Sequence, residues 1–270
     1  MIGIIYSALD EASSNMAMHL AKEHDFEEIE VLGPKVFAGD GVRMYETRSQ
    51  LIHAEFVDSL GLETAYFLSK HESEAHVPAF TTHSLGNWGP EAQFGGRPME
   101  LSYAAPVAML AVLSNLTRAG GVAARTYEAT HHGPLLRTPS LFVEIGGTPE
   151  IIRSVECAAR AAEAAYSAFA EQLSKESSFS KIAVGIGGGH YAEAFSRLAT
   201  EKGYAFSHIM PKYAIAKEGA STDFKMLEQC MVRTTHEPEV AVMDWKGLGA
   251  AARNEAIKKL NELGIDYERV

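Results

Sequence analysis

Cysteine is scarce in this chain: Cys157 and Cys230 are the only two in 270 residues. Both fall in segments patterned as helix, with no CxxC spacing. That excludes a disulfide framework and a cysteine metal site, and it reads as two buried free thiols in a reducing compartment. Long apolar runs are lacking as well. The longest, Ala104 to Leu113, falls well short of the roughly 20 residues a membrane span needs and reads as a core helix. Met1–Tyr6 has no basic flank and turns polar at Ser7, so it is expected to be a strand and not a signal peptide. No membrane association is expected, and the expected location is the cytoplasm. Positive charge is also short, with 24 Lys and Arg against 35 Asp and Glu and a formal net charge of -11. Phosphate contacts need clustered basic residues, so this balance argues against a general nucleic-acid binder. It leaves room for a protein that grips one end of a nucleic acid with a local basic patch.

What is present is ordinary globular material, 46% apolar and 22% charged. The length suits one large α/β domain, here taken as 1–270, with the polar linker 174–180 as a place where it could subdivide. Strands are expected at Ile2–Tyr6, Glu28–Leu32, Thr64–Ser69, Ala79–Thr82, Val122–Tyr127, Leu141–Ile145, Ile182–Ile186, Tyr204–Met210, Val240–Met243 and Asp266–Val270. Gly39-Asp40-Gly41 marks a hairpin between Val36-Phe37 and Val42–Tyr45. Helices are expected from a Ser13 or Ser14 cap to Glu23, over Glu55–Leu60, and from a Ser102 cap to Arg118 with Pro106 in the first turn. Others are expected from Thr148 to about Leu173, over Ala192–Lys202, over Asp223–Cys230 and over Glu255–Leu263. Gly86 to Pro98 reads as an irregular loop. Alternation of strand and helix predicts an α/β fold, a mostly parallel or mixed sheet flanked by helices on both faces.

The eleven histidines matter through their placement. In Glu128-Ala-Thr-His-His-Gly-Pro134, Glu128, His131 and His132 follow a strand directly. His71, His83 and His190 also follow strands, and Glu144 sits near the end of one. If these strands run parallel, the side chains converge on the C-terminal rim, where open α/β sheets bind ligands. Such a cluster suits a zinc site with a position left for water. It equally suits metal-free acid–base catalysis, with a histidine as base. No HExxH spacing decides between them. Gly185-Ile-Gly-Gly-Gly-His190 is a glycine-rich turn whose Gly187, Gly188 and Gly189 amides can surround an anion or an oxyanion. It lacks the lysine of an NTPase loop. Trp88 and Tyr191 can stack on a ring, and Lys212 and Lys246 follow strands where they can meet a phosphate.

Seven blocks taken in order carry a resemblance: Ser69–Ser73, Thr81–Gly89, Tyr127–Pro134, Phe142–Gly146, Gly185–Tyr191, His208–Tyr213 and Asp244–Gly247. Together the chain resembles the archaeal and plant type of D-aminoacyl-tRNA deacylase over nearly its whole length. The resemblance implies hydrolysis of the ester joining a D-amino acid to the 3′ end of tRNA. It also implies zinc dependence and a phosphorylase or peptidyl-tRNA hydrolase type of α/β fold; the expected partner is the acceptor end of a tRNA carrying a D-amino acid, and the expected state is a monomer. On that footing Glu128 and His132 are assigned to the attacking water. His71, His83, His131, Glu144 and His190 are assigned to the metal or to orientation, and Trp88, Gly187, Gly188, Gly189, Tyr191 and Lys212 to substrate. One departure bears on RNA contact: where the family reads Ala-Pro-Lys, this chain has Ala192-Glu193-Ala194. Two rival readings stand beside this one, a zinc amidohydrolase or peptidase on a small acylated compound, and a non-catalytic binder of the tRNA acceptor end.

Overall fold

The expected strands form, but they divide between two sheets. The computed structural model describes residues 1–30, 33–215 and 224–270. In chain order the elements are β1 (Ile2–Ser7), α1 (Glu11–Glu23), β2 (Glu27–Ile29), β3 (Val36–Gly39), β4 (Val42–Thr47), β5 (Thr64–His71), β6 (Ala79–His83), β7 (Gly86–Asn87), β8 (Glu100–Leu101), α2 (Pro106–Ala119), β9 (Ala124–Tyr127) and β10 (Ser140–Gly146). They continue with α3 (Pro149–Ile152), α4 (Val155–Ser174), β11 (Lys181–Ile186), α5 (Glu193–Lys202), β12 (Tyr204–Met210), α6 (Met226–Val232), β13 (Val240–Met243), α7 (Ala250–Leu263) and β14 (Asp266–Arg269). Val31 and Leu32, the end of the second expected strand, lie outside the described residues, as does Asp223, the expected start of the helix seen at Met226–Val232.

The first sheet has the order β2-β3-β4-β1-β5-β10-β6-β9 and is mixed. β1, β4, β5 and β10 run parallel, β6 is antiparallel to β10, and β9 is parallel to β6. The second sheet, β12-β11-β13-β14, is parallel throughout. α1, α2 and α4 lie against one face of the first sheet. The alanine-rich stripe of α4, with Ala158, Ala162, Ala165 and Phe169 buried, permits that close approach. The same apolar core continues through Phe195, Phe206 and Ile209 onto one face of the second sheet. A second core, with Leu101, Met210, Leu227 and Leu260, lies on the other face of that sheet. The far face of the first sheet carries a small cluster, Ile5, Phe67, Leu85, Leu136 and Phe142.

Several local expectations are corrected. α1 is capped by Asp10, whose Oδ1 accepts from the Ser13 amide at 3.1 Å, while Ser13 is buried inside the helix and donates to the Leu68 carbonyl. Asp10 precedes the serines and meets the helix start in extended geometry, which is what a cap requires. Ser102 caps nothing; it ties Pro134 and Leu136 together, and α2 begins at Pro106, whose missing N–H costs nothing at a first helical position. Glu55–Leu60 forms a short 3-10 turn over Glu55–Ser59, following another at Leu51–His53. The long helix expected from Thr148 breaks at Arg153. Ser154 restarts it by accepting from the Cys157 amide, and Val155 is left 71% exposed.

Candidate active site

Residues that face one another across adjacent strands project from the same side of a sheet. Register puts Phe67, Phe142 and His83 in one row across β5, β10 and β6, with Ser69, Glu144 and Thr81 in the next. His71 closes the series beside Gly146. The site is therefore on the face of the first sheet. This corrects the expectation of a shared C-terminal rim: β6 runs antiparallel, so His83 lies level with the start of β10 and not its end. A Cβ at Gly146 would stand 2.8 Å from His71 Cδ2. The bare glycine is what lets the His71 imidazole lie over β10 toward Glu144. The Phe142 ring stacks on His83, with centroids 5.0 Å apart and planes 9° from parallel.

The segment after β9 is stitched from both sides. Glu128 N–H donates to the Thr82 carbonyl at 3.1 Å, in the first sheet. Ala129 N–H donates to His190 and Thr130 N–H to Ile209, both at 2.9 Å, and both acceptors belong to the second half of the chain. Thr130 Oγ1 also sits 2.6 Å from Ser84 Oγ and accepts from the Ile209 amide. Thr130 and Ser84 are positioning residues that sequence reading missed. Small hydroxyl residues carry no periodic signal, and only the fold brings them together.

Glu128, 1% exposed, is the centre. Its Oε1 lies 3.0 Å from His71 Nδ1, and its Oε2 lies 3.3 Å from His190 Nε2 and 3.4 Å from His131 Nε2. Glu144 Oε2 is 3.5 Å from His71 Nδ1 and 3.8 Å from His83 Nε2. His132 is edge-on to His83 at 4.9 Å and to His131 at 4.1 Å. Its φ is +35°, in the left-handed range that is uncommon for residues other than glycine. All seven Glu and His residues read from the sequence for this site thus gather here.

The two carboxylates are driven apart. Burial would raise the Glu128 carboxyl, but the hydrogen bonds from His190 and His71 and the nearby His131 hold it well below the usual carboxylate range. Burial raises Glu144 to about 7, and the Glu128 charge adds to the rise, against the pull of His71. His71 itself is disfavoured by burial, yet its bonds to Glu128 and Glu144 push it up to about 10. Burial lowers His132 to about 3, with His83 adding to the effect, and it lowers His83 and His131 well below the ordinary histidine value.

Two of these histidines have a fixed tautomer. His83 Nδ1 is 3.0 Å from the Ser84 carbonyl, and His131 Nδ1 is 2.8 Å from the Ala129 carbonyl. A carbonyl only accepts, so each Nδ1 carries the proton and each Nε2 presents a lone pair. Those lone pairs face carboxylate oxygens. Three buried ring nitrogens here lack partners, His71 Nε2, His83 Nε2 and His132 Nδ1, and the Glu128 oxygens and Glu144 Oε2 meet only imidazoles, without well-aligned hydrogen bonds. Lone pairs pointed at one another need positive charge between them, and histidines anchored through their other nitrogen are the usual metal ligands. The ligand atoms of His83, His131 and His132 lie within 4.8 Å of one another, as do those of His71, Glu128 and His190 and those of His83, Glu128 and Glu144. The donor set fits a cation of the zinc type.

The residues expected to touch substrate are placed unevenly. Tyr191 pairs with Glu128 as a β-bridge, and its ring lies 5.7 Å from that of His71, beside the site. Gly187 and Gly188 need positive φ, +102° and +82°. The Gly187 amide is already committed to the Met210 carbonyl at 2.7 Å and is not free as an oxyanion donor. Lys212 is exposed and adjoins the turn, its amide donating to Gly188. Trp88 is the plain correction: it is 6% exposed and packed in the second core, so its ring is a packing element with no open face for a base.

Comparisons with known proteins bear on the family of the chain. The sequence profile of the D-aminoacyl-tRNA deacylases matches residues 59–268. The D-aminoacyl-tRNA deacylase of Pyrococcus furiosus is 34% identical over 277 residues, covering 98% of each chain. That of Methanocaldococcus jannaschii is 30% identical, covering 99% of this chain and 98% of its own. A crystal structure described as a conserved protein of unknown function, AF0625, superposes with a TM-score of 0.88 at 28% identity, over 100% of this chain and 95% of that one. A profile match over most of the chain, together with full-length relatives, makes this chain a member of the D-aminoacyl-tRNA deacylase family, which is a family of enzymes.

Proposed function

We propose that the buried Glu128–histidine cluster is where this chain hydrolyses the ester of D-aminoacyl-tRNA, releasing free D-amino acid and tRNA. The observation that carries the reading is the set of lone pairs converging on Glu128 and Glu144 within a member of this family. Ester hydrolysis forms a bond from a water oxygen to the carbonyl carbon and breaks the bond to the terminal ribose oxygen. It needs a group to take the water's proton, a group to return one to the leaving oxygen, and stabilisation of the tetrahedral oxyanion. A zinc ion held by His83, His131 and His132, or by His71, Glu128 and His190, would lower the pKa of a bound water and polarise the ester carbonyl.

The chain's own residues divide the remaining work. Glu128, held ionised by His190 and His71, orients those two imidazoles. Glu144, raised to about 7, is the better proton acceptor near neutral pH, because transfer is most effective when the pKa matches the working pH. This gives the proton-transfer role to Glu144, where the resemblance assigned the attacking water to Glu128 and His132. Tyr191 and the glycine turn flank the entering ester, and His132 bounds the pocket beside His83. The tRNA substrate implies a cytoplasmic enzyme, and we read it as acting as a monomer. Among the described residues no helix is long and apolar enough to cross a membrane.

The test is deacylation of D- and L-aminoacyl-tRNA by wild type and Glu144→Gln, across pH and with a chelator. Wild type should prefer the D-ester, with kcat rising through about pH 7 as Glu144 ionises. Glu144→Gln should lose about 10²- to 10⁴-fold in kcat, together with that inflection. A wild-type profile kept intact by the variant removes Glu144 from the mechanism. Equal turnover of a small D-amino-acid ester and of D-aminoacyl-tRNA would favour the small-substrate hydrolase instead.

A further inference from the structure

An RNA substrate needs cationic partners, and this chain has 24 Lys and Arg against 35 Asp and Glu. Many of its cations are neutralised in ion pairs: Lys22 with Glu23, Lys35 with Glu28, Arg153 with Glu11, Arg160 with Glu156, Lys181 with Glu268 and Lys259 with Glu228. The C-terminal edge of the second sheet gathers several that are not. Because β12, β11, β13 and β14 are all parallel, the residues following them share one edge. Lys212 follows β12, the glycine turn follows β11, Trp245 and Lys246 follow β13, and Arg269 ends β14. Arg253 joins them from the first turn of α7. Among the described residues none of these four cations forms an ion pair.

Two guanidinium groups share one indole there. Arg269 Cζ lies 3.8 Å from the Trp245 ring centroid, and Arg253 Cζ lies 4.7 Å from it. Tyr267 stacks on Trp245 with planes 3° apart. The Arg253 Nε–H donates to the Leu248 carbonyl at 2.8 Å, which fixes that side chain. The nearest acid in the turn, Asp244, is directed into its own loop and accepts from the Gly247 amide. Stacking occupies the face of a guanidinium; Arg269 Nη2 donates to the Tyr267 hydroxyl at 3.5 Å, and the remaining in-plane N–H groups of both arginines have the geometry that grips phosphate. Neither guanidinium has an ion-pair partner among the described residues, and an incoming anion relieves their mutual repulsion.

We propose that Lys212, Lys246, Arg253 and Arg269, arranged around Trp245, bind the sugar–phosphate backbone of the tRNA acceptor strand and aim its terminal ester at Glu128. The proposal rests on the deacylase reading above. Gly187 packs against Asp244 and Leu248, so the edge is continuous with the turn leading to His190. Strand spacing puts the end of β14 about 10 Å from that turn, roughly three nucleotides at about 3.4 Å each. Arg269 therefore meets phosphates just upstream of the reacting end.

The test measures binding of uncharged tRNA, and KM for D-aminoacyl-tRNA, against salt concentration. Arg253→Ala/Arg269→Ala should weaken tRNA binding and raise KM about tenfold or more. It should also lower the slope of log Kd on log salt by about 0.7 to 0.9 for each phosphate that is no longer neutralised. Lys246→Ala, at an exposed position that a folded chain tolerates, should lower the slope by one such step. Arg153→Ala, remote and already paired with Glu11, should change neither. Unchanged Kd and slope in both edge variants, with folds intact by circular dichroism, overturn the proposal. A wild type that binds tRNA through this edge but never deacylates it would overturn the deacylase reading and leave the edge standing.

Discussion

Gly146 shows how one missing side chain admits the chemistry. His71 reaches Glu128 and Glu144 only by crossing β10 where that strand has no Cβ. Gly146→Ala would put a methyl group 2.8 Å from the ring. The residue is in an ordinary strand, with no positive φ, so the backbone tolerates alanine and the displacement falls on His71. We expect a stability cost of about 1–3 kcal/mol from overpacking, and a loss of deacylation far larger than that cost explains. Urea denaturation and turnover measured on the same preparation check this. Wild-type turnover in a folded Gly146→Ala protein would show that the His71 position is not critical. The glycine could be read from the sequence as a member of a motif, but its reason could not. Only the register of β5 on β10 shows which imidazole it must clear.

At the scale of elements, Asp10 joins two jobs. Its Oδ1 caps α1 and its Oδ2 accepts from the Lys70 amide at 2.9 Å, one residue before His71. Asp10→Ala should cost about 1–2 kcal/mol as a lost cap and should loosen the end of β5. Asp10→Asn, which still accepts through one oxygen, should keep most of the cap. Thermal unfolding orders the three proteins. Equal melting temperatures for Asp10→Ala and wild type would show that the cap contributes nothing. Hydrophobic runs such as Tyr204–Met210 and Val240–Met243 were legible in the sequence to the residue, because a buried parallel strand is apolar on both faces. Strand direction was not legible. Ala79–His83 reads alike whichever way it runs, and only pairing with β10 makes it antiparallel. Hence the histidines that gather in the structure were named but placed on a rim instead of a face. Trp88 misled for a similar reason: a Gly- and Pro-rich neighbourhood signals a loop, and a loop residue can still turn its ring into a core. The break at Ser154 was hidden because the apolar period continues on both sides of it.

For the whole molecule, the site is also a seam. Glu128, His131 and Glu144 belong to the half of the chain that builds the first sheet, and His190 to the half that builds the second. Among the described residues the backbone bonds beside the site are Ala129 to His190, Thr130 to Ile209 and Ala192 back to Tyr127, with Ala104 to Arg233 and Thr235 to Ala104 joining the halves farther off. A cation shared by these side chains would bind both halves at once, so metal binding and closure of the seam should be linked. Ligand that binds only the native state stabilises it by RT ln(1 + [L]/Kd), about 2.7 kcal/mol at a hundredfold excess over Kd. We expect zinc to raise the melting temperature, and a chelator to abolish deacylation while the circular dichroism spectrum holds. Hydrogen exchange should then quicken at the Ala129, Thr130 and Ala192 amides and stay slow in β1 and β4, which carry no residue of the site. Collapse of the whole fold on chelation would instead assign the metal a structural role, as the rival reading of a non-catalytic acceptor-end binder requires. No change in exchange or turnover would mean that the converging lone pairs serve proton transfer alone, with His71 as the positive charge between the two carboxylates.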